Sequence, residues 1–254
     1  MTAFEKKLLS FSVVAGLVFC VPQNASAMHI MEGYLPPALC VAWGALCLPF
    51  LTAGVISIRH LMQQRRKSVL LLAMSGAFIF VISSLKIPSV TGSCSHMTGT
   101  GLAAILFGVP AASVLGVIVL VFQAVLLAHG GLTTLGANTF SMAVAGPLLA
   151  WGIYQAGKKL GLPKLPVVFA AAMLGDLLTY CVTSLQLAWA HPSAQGGFWG
   201  NAAEFLMVFA PTQLPLAIIE GILTMLVVMG LETYAKTELN ELQTAKGGLF
   251  DEPK

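Results

Sequence analysis

Apolar residues fall into seven long stretches, over 37–58, 68–85, 99–108, 110–128, 137–157, 166–188 and 206–231, each broken from the next by glycine, proline or charge. Stretches of this kind are read as helices that cross a lipid bilayer. The third is the exception, because ten helical residues rise about 15 Å and cover only half of a ~30 Å hydrocarbon core. Arg59, Arg65, Arg66 and Lys67 follow the first stretch and Lys158, Lys159 and Lys164 follow the fifth. Both basic clusters belong on the cytoplasmic side. An odd number of crossings must then lie between residues 86 and 158, so the short stretch has to count as one. The remaining depth is assigned to KIPSVTGSCSHMTGT, residues 86–100, dipping inward from the external face as irregular backbone. Such a segment is tolerated at membrane depth only where protein or a water-filled cavity surrounds it. This places His96 in an indented loop.

The N-terminus breaks the pattern. Lys6 and Lys7 precede the apolar run LLSFSVVAGLVFCV, which stops at Pro22 and ends in Ala25-Ser26-Ala27. A positive end, a short apolar run and an A-x-A site predict a secretory signal peptide over 1–27. Retention as an anchor would need a longer span, and lipidation at Cys20 is opposed by the bulky Phe19 before it. Cleavage after Ala27 leaves a polytopic metal-binding membrane domain over 28–235 and a polar cytoplasmic tail over 236–254, with Met28 as the new N-terminus on the external side.

Composition agrees. Of 254 residues 57% are hydrophobic and 9% charged, against roughly a quarter charged in a soluble domain. The formal charge of +3 comes from scattered side chains, which gives no basic stripe and excludes nucleic acid as a partner. The five cysteines lack CxxC spacing and predict no disulfide framework.

Removal of the leader would create a ligand set. The Met28 amine, the His29 backbone amide and one His29 imidazole nitrogen can bind one cation through fused five- and six-membered rings that lie nearly flat. Such nitrogen chelates suit Ni(II) and Cu(II) and exclude Mg and Ca. One planar position stays open, and His96 on the same outer side is the candidate for it. Cys94 offers a soft ligand two residues away, Ser95 neighbours the same loop, and Glu32 is placed as an acceptor that orients an imidazole. His129 and the following GGLTTLGAN read as an external turn, with Asn138 as a supporting polar group. His191 receives no role.

With those residues in view, the chain resembles the CbiM/NikM family, the substrate-binding (S) membrane components of energy-coupling-factor cobalt and nickel transporters. MHIMEGYLPP at 28–37, SCSHMTGTGL at 93–102, HGGLTTLGANTFSMAVAGP at 129–147 and PTQLPLAIIEGILT at 211–224 carry the resemblance. It implies an all-α integral membrane protein of the bacterial inner membrane, a bundle of about seven transmembrane helices after signal-peptide removal. In it the N-terminus and an external loop insert into the core, and Met28, His29 and His96 hold the metal. It implies capture of Co(II), or Ni(II), from outside for ATP-driven uptake that supports cobalamin synthesis. The implied partners are a transmembrane coupling protein, a pair of cytoplasmic ATPases and a small auxiliary membrane subunit. Ala38 and Ala42, four residues apart, permit close helix approach and are the candidate seam for the coupling protein.

Other features weigh less. GIYQAGKK at 152–159 imitates a phosphate-binding loop, but Lys159 replaces the required Ser or Thr and a membrane helix precedes it. Asp176 and Glu220 lie within apolar spans, where an ionisable group is expensive. They are expected either as buried hydrogen-bond partners or as the relay of a self-sufficient, proton-coupled metal transporter. An intramembrane metalloenzyme is disfavoured, since HIME at 29–32 lacks the second histidine of H-E-x-x-H. The chain is therefore read as a transport component and not an enzyme.

Overall fold

A computed structural model of the chain describes residues 29–64, 66–88, 94–192 and 196–245. The expected leader and Met28 lie outside them. The order is α1 (Pro37–Gln64), α2 (Arg66–Ser84), β1 (Ile87–Pro88), β2 (Cys94–Ser95), α3 (Thr100–Phe107), α4 (Val109–Leu126) and α5 (Leu135–Asn138). A wider π-type turn over Thr139–Ala145 follows, then α6 (Gly146–Lys159), α7 (Lys164–Ala190), α8 (Gly197–Tyr234) and α9 (Lys236–Ala245). Among the described residues α1, α4, α7 and α8 are long and apolar enough to cross a membrane, and Ser68–Ser84 is a shorter apolar helix.

Exposed side chains on these helices are apolar: Val41, Leu48 and Ile56 on α1, Phe122 and Val125 on α4, and Ile218 and Ile222 on α8. Lipid, not water, is the solvent that stabilises such a surface. Inside, every residue of α3 is buried. This short helix is the one whose length fell below the span of a bilayer, and it starts within the protein and not at its edge. Gly108, at φ +87°, separates α3 from α4. Pro110 sits in the first turn of α4, where the missing N–H would have had no helical partner.

Small residues set the spacing of the bundle. A Cβ on Gly54 of α1 would stand 2.1 Å from the Pro110 carbonyl oxygen, and one on Gly116 of α4 2.5 Å from the Ala143 Cβ. Ala143 lies in the π-type turn, whose carbonyl accepts the Ser113 hydroxyl at 2.6 Å. A widened turn leaves carbonyls out of the regular ladder, and a neighbouring hydroxyl satisfies this one.

Three boundaries differ from the sequence reading. The external loop carries an antiparallel pair, Ile87 with Ser95 and Pro88 with Cys94, a two-residue ladder within an otherwise helical chain. The last span begins at Gly197, nine residues before the expected 206, and keeps Pro211 and Pro215 inside it. Its 38 residues extend roughly 57 Å, well beyond a hydrocarbon core, so Asn201 and Glu204 can be helical without entering the apolar layer. The polar tail begins as α9, which buries Leu242 in the same apolar cluster as Leu71 and Leu72 of α2.

Gly116→Leu should force α4 away from the π-type turn. We expect a stability loss of about 1–3 kcal/mol, measured as a lowered unfolding temperature of the detergent-solubilised chain, with Gly152→Leu, whose Cβ position is open, leaving it unchanged.

Candidate metal centre

Residues 29–35 form no helix or strand, yet His29, Ile30 and Leu35 are buried. Their backbone polar groups must be satisfied by something other than water. Asn138, at the end of α5, supplies both partners of Ile30: its Oδ1 accepts the Ile30 N–H at 2.8 Å and its Nδ2 donates to the Ile30 carbonyl at 3.0 Å. Thr134 Oγ1 donates to the same carbonyl at 2.6 Å. Farther out, the Gly33 N–H donates to Thr133 Oγ1 at 3.3 Å, and the His191 Nε2–H donates to the Tyr34 carbonyl at 2.8 Å. The segment is thus a strap gripped by its main chain. Gly130, at φ +78°, lets the facing loop approach; a Cβ there would meet Asn138 Nδ2 at 3.2 Å and His29 Cβ at 3.4 Å.

The loop that carries His96 is held from α8. Ser95 Oγ pairs with Thr212 Oγ1 at 2.8 Å, and Gln213 Nε2 donates to the His96 carbonyl at 3.2 Å. The Glu220 carboxylate accepts Thr98 N–H at 2.6 Å, Thr98 Oγ1–H at 2.9 Å and Gly99 N–H at 2.8 Å. Gly99 precedes α3 with no side-chain cap of its own, so Glu220 does from another helix what an N-cap residue does locally. Asp176 of α7 accepts Gln213 Nε2 at 2.5 Å, which ties the network to a third element.

Strap and loop meet at three imidazoles. Ring centroids of His29 and His96 lie 4.5 Å apart, His29 and His129 4.8 Å, and His96 and His129 5.1 Å. One nitrogen from each falls within 4.8 Å of the others, and all three rings are buried. His96 Nδ1 stands 2.8 Å from the Met97 carbonyl; a carbonyl only accepts, so that nitrogen carries the proton and Nε2 keeps its lone pair. The Nε2 atoms of His96 and His129 have no partner. Orphaned buried nitrogens that converge are expensive unless something fills the space between them. A metal binds imidazole through an unprotonated nitrogen, and the partnerless Nε2 atoms of His96 and His129 are placed to offer one. His129 reaches the group because Ala128 turns the chain at φ +47°, a left-handed conformation that costs a non-glycine residue about 1–2 kcal/mol.

Of the residues singled out in the sequence, His29 and His96 are brought together as expected, and Asn138 and Ser95 support their backbones. Glu32 is a correction: it reaches no imidazole but lies exposed, its carboxylate accepting the Thr133 N–H at 3.2 Å. Met28 and the Cys94 side chain lie outside the described residues. Ala38 and Ala42 are exposed on α1, and Glu220 braces the His96 loop. His129 was read as an external turn and is instead buried in the cluster. Its signal was a histidine followed by two glycines, a sequence that lets backbone approach closely. GIYQAGKK falls within α6, where helical bonding leaves no cradle of free N–H groups.

Comparisons with known proteins bear on the chain as a whole. The family model described as the cobalt uptake substrate-specific transmembrane region, CbiM, matches residues 29–238. A cobalt transport protein of Lachnoclostridium phytofermentans is 61% identical over 98% of this chain and all of its own length. One from Chlorobium limicola is 56% identical over 96% of each. A crystal structure of a truncated transition metal transporter superposes with a TM-score of 0.69 at 30% identity, over 81% of this chain and 99% of that one.

Replacing Asn138 by Leu should free the strap. Losing both bonds to Ile30 leaves a buried N–H unpaired, at about 1–3 kcal/mol. Hydrogen exchange in a peptide spanning the strap should accelerate by about 5- to 100-fold at the usual 1.4 kcal/mol per decade, while peptides from α7 keep their protection.

Proposed function

Because the chain belongs to the cobalt uptake substrate-specific transmembrane family, CbiM, we propose that it is the substrate-capturing component of an energy-coupling-factor transporter for Co(II). The observation that carries the reading is the convergence of three buried imidazoles where the strap meets the His96 loop. In this proposal cleavage after Ala27 frees the Met28 amine. That amine, the His29 amide and the His29 imidazole supply three nitrogens in a plane, His96 Nε2 supplies the fourth, and His129 stands beside them as a further nitrogen. The amide must lose its proton, so the site takes late transition metals; Ni(II) fits the same plane and is the alternative cargo.

The remaining features support the assembly. Lys158 and Lys159 follow Asn138 by roughly 30 Å of helix, about one membrane thickness from the strap. This agrees with seven crossings, an external N-terminus and a cytoplasmic C-terminus in the inner membrane. In this reading ATP hydrolysis belongs to a separate pair of cytoplasmic subunits. A coupling protein would dock on the exposed Ala38 and Ala42 face of α1, and a small auxiliary membrane subunit completes the complex.

Two measurements test this. Ala27→Phe places a bulky residue at the cleavage site and should retain the leader, so the amine is never freed. Titration of the purified variant with Co(II) should then show affinity lower by at least about a hundredfold, some 2.8 kcal/mol, as should His96→Ala in the processed chain. Tight binding with the leader attached would contradict the ligand set. In liposomes, the chain alone under a proton gradient should accumulate no Co(II), and uptake should require the partner ATPases with ATP. Robust uptake by the single chain would instead assign Asp176 and Glu220 to a proton relay.

A further inference from the structure

Gln123 stands at the end of α4, the one amide in an 18-residue helix otherwise apolar but for a serine, and it is fully buried. Its backbone carbonyl accepts the His129 N–H at 3.1 Å. Its side chain makes two further bonds: Nε2 to Ser83 Oγ at 2.7 Å and Oε1 to His29 Nε2 at 3.1 Å. Ser83 Oγ in turn lies 2.5 Å from the Ile79 carbonyl, one turn earlier on α2.

The chain of bonds has one direction. A carbonyl cannot donate, so the Ser83 hydroxyl gives its proton to Ile79, and its oxygen is left to accept. The end of the Gln123 amide that faces Ser83 must then be the NH2 group, and the end that faces His29 must be the oxygen. An oxygen there accepts only, so His29 Nε2 carries the ring proton and Nδ1 carries the lone pair. This is the nitrogen that matters for the chelate. From the His29 amide nitrogen the path through Cα, Cβ and Cγ to Nδ1 closes a six-membered ring with a cation, whereas Nε2 lies on the far side of the imidazole and cannot close it.

We propose that Gln123 is a positioning residue for metal capture. Oriented by Ser83 and the Ile79 carbonyl, it holds His29 in the Nε2–H tautomer and aims Nδ1 at the cation. His96 is set in the opposite sense, its Nδ1–H on Met97 and its Nε2 bare, so the two rings keep different nitrogens free for the cation. Polar groups behind metal-ligating histidines act in this way, and their loss costs about 10- to 100-fold in affinity. The proposal rests on the metal-binding reading above.

The test uses processed, full-length chain labelled with 15N-histidine. Before metal is added, nitrogen chemical shifts should place the His29 proton on Nε2. Gln123→Leu should give a mixture of tautomers and weaken Co(II) and Ni(II) binding by about 10- to 100-fold. Gln123→Glu, whose carboxylate still accepts from Nε2, should keep the tautomer and rescue the affinity. Ser83→Ala, which frees the amide to turn over, should move both readouts partway toward the leucine variant. A wild-type His29 protonated on Nδ1, or a leucine variant that binds as tightly as wild type, would overturn the role of Gln123 alone. Wild-type chain with the Nε2–H tautomer and no affinity for either metal would overturn the metal-binding reading, and with it the purpose assigned to Gln123.

Discussion

Backbone that is neither helix nor strand cannot stand at membrane depth unless the protein satisfies its N–H and C=O groups. Two such segments, the strap at 29–35 and the loop at 96–99, bear His29 and His96, and much of the surrounding architecture serves to satisfy them. Asn138 and Thr134 serve the strap; Glu220, Gln213 and Thr212 serve the loop. The anchors on the strap bind main chain, which fixes its depth and leaves the His29 ring free for other contacts. Regular helices could not bring the N-terminal segment, the loop before α3 and the turn after α4 to one point, because each helix closes its own hydrogen bonds and keeps its neighbours at a helix diameter.

The spacing of the bundle follows from the same demand. Gly54 against Pro110, and Gly116 against the π-type turn, allow helices to approach without side chains between them. The turn over Thr139–Ala145 directly follows Asn138, so the widening that unsettles the helix lies next to the residue that grips the strap.

Much of this was legible in the sequence. Apolar length located α1, α4, α7 and α8, and charge parity led to the reading of the 86–100 segment as folded inward, where His96 and Thr98 are buried. His29 and His96 were visible as rare ionisable groups in a chain with few of them. The illegible parts share a cause. His129 and Gln123 make contacts with residues about 100 positions away, and nothing in their local sequence separates a buried histidine of a cluster from one in an exposed turn, or a hydrogen-bonded amide from one filling a membrane helix. Glu32 misled for the opposite reason: proximity along the chain to His29 suggested contact, but the turn at Glu32 and Gly33 directs the carboxylate outward to Thr133. The early start of α8 escaped because polar residues on a helix that projects past the lipid look the same as those in a loop.

Glu220 has one more effect. A helix beginning inside the bundle presents about half a positive elementary charge at its amino end, and α3 starts only four residues beyond His96. Left bare, that pole would repel any divalent ion entering the pocket, in a medium too apolar to screen it. A carboxylate seated on the pole outweighs it, so the same bonds that fix the loop also keep the local potential from opposing a cation.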